Sequence, residues 1–183
     1  LSRGLGDVYK RQTLLIMFIS MYSILNSYIT SNKVGGDMSV ASVVKLFGVI
    51  GMFLSLLVGR LSGRLGTKRV LTLALSTCVV SLILMGTFTN IVLITIFSVT
   101  FVAGIAFAIP TVISKVGVVV NSNQGFFLSV NTVILFLGTA IAPILMIYVK
   151  QIPNFFLEFL TIAMIGVLAV IVSIFMPNDH HVN

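Results

Sequence analysis

Gly59-Arg60-Leu61-Ser62-Gly63-Arg64-Leu65-Gly66-Thr67-Lys68-Arg69 is a basic, glycine-punctuated island in an otherwise apolar chain. Four of the chain's eleven Lys and Arg residues fall within it. The apolar runs on either side are long enough to cross a bilayer. The island therefore reads as a tight turn between two membrane helices. Its cations assign that turn to the cytoplasmic side, because short loops rich in Lys and Arg stay inside.

The rest of the composition agrees. Of 183 residues, 58% are hydrophobic and only 8% charged, and the mean hydropathy is +1.18. A soluble domain needs far more polar surface. The chain is read as an all-α integral membrane protein, with the lipid bilayer as its first partner. The net charge of +7 is no sign of nucleic-acid binding, since the cations sit at span ends and not along one face. Cys78 is alone in an apolar run, which excludes a disulfide framework and a cysteine metal cluster. His180 and His181 lie in a polar tail, and no acid–base pair or nucleophile constellation is visible. Neither an enzyme, a cofactor nor a metal is expected.

Residues 1–12 are unlike the rest of the chain. Back-translated, Ser2–Gln12 can be written codon for codon as the end of a transposase-type sequencing adapter, so the segment is read as an artefact. Setting it aside removes three basic residues and one acidic one, taking the net charge from +7 to +5. An adapter joined to coding sequence marks a broken end. The chain is accordingly expected to be a fragment that begins mid-protein near Thr13.

Beyond that segment lie six apolar spans. Thr13–Ser31 has no charged residue and at about 1.5 Å per residue would run roughly 28 Å. Its Tyr22 and Asn26 are four apart and share a face, away from lipid. Asn32–Ser39 is a turn. Val40–Gly59 is the second span, where Gly51, Ser55, Gly59 and Gly63 repeat every four residues and form a small-residue stripe for close helix packing. Val70–Phe88, Ile91–Ser114, Phe126–Val149 and Asn154–Met176 complete the set. Asn131 lies at depth in the fifth. Glu158 sits near the outer end of the sixth and is read as interfacial. Residues 177–183 form a short polar tail. The island's side carries Arg60, Arg64, Lys68, Arg69 and Lys115, against Lys33, Lys45 and Lys150 opposite. Both ends of the six-helix unit, residues 13–176, are thus expected in the cytoplasm, and the protein in the plasma or inner cell membrane.

Gly59-x-x-x-Gly63-Arg64-x-Gly66-Thr67-Lys68-Arg69 resembles the loop between the second and third helices of a half in the major facilitator superfamily. The family pattern has Asp where Gly63 stands. That carboxylate joins the basic residues in a conformational latch, so the resemblance implies a weakened latch here. It also implies that the six spans form one half of a twelve-helix transporter. The degenerate loop, a fourth span without Arg and the short tail point to the C-terminal half, with an N-terminal six-helix half as the missing partner. Gly138-x-x-x-Ala142-Pro143 resembles a relaxed form of the Gly-x-x-x-Gly-Pro pattern of the family's exporters. The implied function is alternating-access transport of a small molecule, in the efflux direction for drug-like compounds.

By the same resemblance the first, second, fourth and fifth spans line the cavity or the interface between halves, and the third and sixth stand outside. Tyr22, Asn26 and Asn131 are then candidates for polar cavity contacts, and Phe101 and Phe107 for apolar walls. Each has a packing alternative. The rival function is a non-transporting six-helix membrane scaffold or assembly subunit, which a dry, tightly packed bundle would favour.

Overall fold

The computed structural model describes residues 2–31, 38–53, 56, 58–119 and 124–174. Among these residues seven helices run in order: α1 (Ser2–Ser31), α2 (Met38–Phe53), α3 (Val58–Leu65), α4 (Thr67–Thr87), α5 (Ile91–Val119), α6 (Gln124–Val149) and α7 (Phe155–Ile174). No strand occurs among the described residues. A chain this apolar must satisfy its backbone within each segment, and the helix does so. Pro110 and Pro143 lie inside α5 and α6 without ending them.

Among the described residues, four stretches are long and apolar enough to cross a membrane: Gln12–Ser31, Thr67–Thr87, Ile91–Val112 and Phe155–Ile174. Ser42–Phe53 and Phe136–Val149 are shorter apolar pieces. The described residues of the expected second span, Val40–Gly59, fall mainly in α2 and the start of α3, with 54, 55 and 57 outside the described set, and α3 carries on through the first half of the basic island.

The turns before α5 and α7 are closed by asparagine. Asn90 accepts the Val92 N–H through Oδ1 at 2.9 Å and the Ile94 N–H through its carbonyl at 3.0 Å. Asn154 does the same for Phe156 (2.9 Å) and Glu158 (3.1 Å). Both side chains satisfy donors that a helix start leaves open.

α4 packs on α5 and α7, α1 on α6 and α7, and α2 on α5, with α1 also touching α5 and α2. The core draws on Met17, Met21 and Ile24 of α1, Leu75 and Leu82 of α4, Phe101 of α5 and Phe159 of α7, all almost fully buried. In lipid, such packing rests on close van der Waals fit and small residues. Gly51 is a point of closest fit: a Cβ there would lie 2.7 Å from the Val99 carbonyl oxygen and 3.0 Å from the Ala103 nitrogen. α2 therefore meets α5 backbone to backbone. Gly138 meets α1 in the same way, against the Gln12 backbone. α2 and α6 flank the bundle and turn large apolar side chains outward, among them Leu46, Phe53, Phe136 and Ile147.

Candidate functional site

The basic island is more ordered than a loop. α3 occupies Val58–Leu65, and α4 begins at Thr67. The one residue between them, Gly66, has φ +81°. Only glycine takes that conformation without steric cost. The Gly66 N–H donates to the Ser62 carbonyl at 3.0 Å, and the Gly66 carbonyl accepts the Val70 N–H at 3.2 Å. Both flanking helices thus hydrogen-bond through the pivot.

Around that pivot Arg60, Arg64 and Arg69 are exposed, and Lys68 is half-buried. Arg64 sits in the last turn of α3, where a cation complements exposed carbonyls. Gly63 is exposed, and a Cβ on it would meet nothing within 4 Å. Nothing steric demands glycine there. Gly59 lies in α3, and Ser55 falls outside the described residues.

The candidate cavity residues do not gather at one place. Tyr22 is half-buried, edge-on to Phe18 at 5.1 Å between ring centroids. Its hydroxyl lies against Gly48, where a Cβ would come within 2.5 Å of it. Tyr22 therefore faces α2. Asn26, one turn on, is exposed. Phe101 is fully buried in the core, and its carbonyl accepts the buried Cys78 thiol at 3.6 Å. That is a packing position and not a cavity wall. Phe107 is half-buried against the same core. Asn131 lies in α6, its side chain outside the described set. Pro143 is exposed on α6.

Glu158, expected near an end of its span, lies in the first turn of α7, where it is turned inward and only 5% exposed. Its Oε2 is buried and accepts no hydrogen bond from the described residues. The available signal was that no other carboxylate lies within the six apolar spans. An ionisable group inside a span is a functional candidate by default. Thr72 and Ser173 share a hydrogen bond of 3.0 Å between α4 and α7, which the sequence did not indicate.

No curated protein sequence matches the chain. The sequence profile of the Major Facilitator Superfamily matches residues 6–183. That match covers nearly the whole chain, including the Gly66 turn and every helix described except the first residues of α1. Family membership indicates a multi-pass membrane transporter, and the chain belongs to the Major Facilitator Superfamily.

Proposed function

We propose that the chain is the C-terminal six-helix half of a secondary active transporter that moves a small, drug-like molecule outward by alternating access. The observation that carries this is the family match across residues 6–183, joined to a Gly-Arg turn at the place where the family has its own. The wide apolar flanks of α2 and α6 and the exposed Asn26 on α1 support an interface completed by six further helices. In this reading residues 1–12 are adapter-derived, both ends of the unit are cytoplasmic, and the Gly66 end faces the cytoplasm of a cell-membrane protein. Two halves rock about a central site near the midplane. Gly63 in place of Asp leaves the latch of the basic turn weakened or absent.

The test is to sequence the source DNA across the junction before Thr13 from a library made without transposase. An upstream frame with six further spans is the expected result. A start codon followed by a genomic copy of residues 1–12 would overturn it. A second measurement is independent of the first. In proteoliposomes the 183-residue chain alone is expected not to move substrate, and net extrusion by it would overturn the half-transporter reading.

A further inference from the structure

At the end of the bundle opposite Gly66, α1 finishes, the α6–α7 turn passes over it, and α7 begins. Two contacts build this corner. The Tyr28 hydroxyl donates to the Thr89 carbonyl at 3.2 Å, and the Tyr28 ring stands edge-on to Phe155 at 5.1 Å. Beside them opens a cavity of about 340 Å³. Its polar wall comprises Ser27 and Ser31 of α1, Lys150 and Asn154 of the turn, and Glu158 of α7, with Phe155 on the apolar side.

The chemistry of that wall is unusual for a helix end in a membrane. Ser27 and Ser31 are one helical turn apart and so present two hydroxyls on one face. Glu158 is 5% exposed, and its Oε2 is buried with no donor among the described residues. A buried acceptor without a partner is costly, and more so for a carboxylate. Glu158 also borders the cavity, so a donor lying there meets the carboxylate at its accessible edge. Lys150, exposed, borders the same space. A bare metal cation would be repelled by that ammonium, and a simple anion by the carboxylate. A species carrying both signs suits both. Taking about 30 Å³ per water, the space holds on the order of ten waters, enough for a small zwitterion. The site also lies at helix ends, the depth at which lipid headgroups sit.

We infer that this cavity binds a primary ammonium tethered to an anionic group. The ammonium donates to Glu158, the anionic group meets Lys150, and the two serine hydroxyls hydrogen-bond along its length. Two sources offer this chemistry: a phosphoethanolamine lipid headgroup and a free zwitterion in the aqueous phase. A trimethylammonium has no N–H to give Glu158 and is excluded by the same argument.

The experiment takes the full chain in detergent and titrates phosphatidylethanolamine or phosphatidylcholine of matched acyl chains, counting bound lipid by native mass spectrometry. Soluble phosphoethanolamine and phosphocholine form the second arm. The expected result is at least a tenfold preference for the primary ammonium in one arm or both. Preference in the lipid arm alone identifies a headgroup site, and preference in the soluble arm identifies a free zwitterion. Glu158→Gln should bring the ratio to within about twofold, because the neutral amide no longer offers an anion to the ammonium. Lys150→Gln and Ser27→Ala, which change a rim residue and a single hydroxyl, should each weaken binding while the helical circular dichroism stays unchanged. Equal binding of the primary and trimethylated species by the unmodified chain, in both arms, would overturn the inference with no variant needed. Full preference in a folded Glu158→Gln protein would also overturn it, by placing the site elsewhere. None of these readings depends on transport.

Discussion

The two ends of the bundle solve the problem of turning a helix in opposite ways. At the basic end the chain reverses through Gly66 alone, its arginines stand exposed, and a side chain at Gly63 would meet nothing nearby. At the opposite end side chains do the joining. Tyr28 reaches from α1 to the α4–α5 turn and to Phe155, and the carboxylate of Glu158 is folded inward. One end depends on a backbone conformation, the other on aromatic and polar contacts between elements distant in sequence. Backbone turns tolerate changes in surrounding side chains, whereas contact-built corners do not.

Substitutions break or sharpen that contrast. Tyr28→Ala removes a buried ring, its hydrogen bond and its partner for Phe155, and should cost about 3–5 kcal/mol, read as a lowered midpoint of thermal unfolding in detergent. Gly66→Val forces a β-branched residue to positive φ, which should cost about 1–3 kcal/mol in the same assay. A neutral Gly66→Val would mean that the basic end does not rest on its pivot. Tyr28→Phe keeps the ring and loses only the bond to Thr89, an expected loss of about 1 kcal/mol. If Tyr28→Phe matched Tyr28→Ala, the corner would be held by the hydroxyl and not by the ring. Gly63→Asp should change stability by less than about 0.5 kcal/mol, since its side chain enters open space. A large loss there would show that the basic end is as closely packed as the other.

Much of the fold was legible beforehand because membrane helices are announced by length and apolarity. The runs that became α1, α4, α5 and α7 could be drawn from residues alone. α3 could not. The sequence marks Gly59–Arg69 as one tight turn, whereas α3 runs through Leu65 and only Gly66 separates it from α4. The candidate site was less legible for a related reason. Apolar spans carry little amphipathic signal, so the facing of Phe101, inward and fully buried, depends on helix rotation. The inward facing of Glu158 has the same origin: its distance from the helix end is readable in the sequence, but its phase relative to α1 is not.

A link of one residue also leaves no slack. Two peptide units reach about 7 Å at full extension, so the end of α3 and the start of α4 are on a short leash. The torsions of Gly66 let the two axes swivel, but neither helix can slide past the other. Whatever displaces α3 across the bilayer must drag α4 with it. Through α4 the motion is handed to α5 and α7, which pack against it. A longer loop would have absorbed that stroke; a single glycine acts as a crank pin and passes it on.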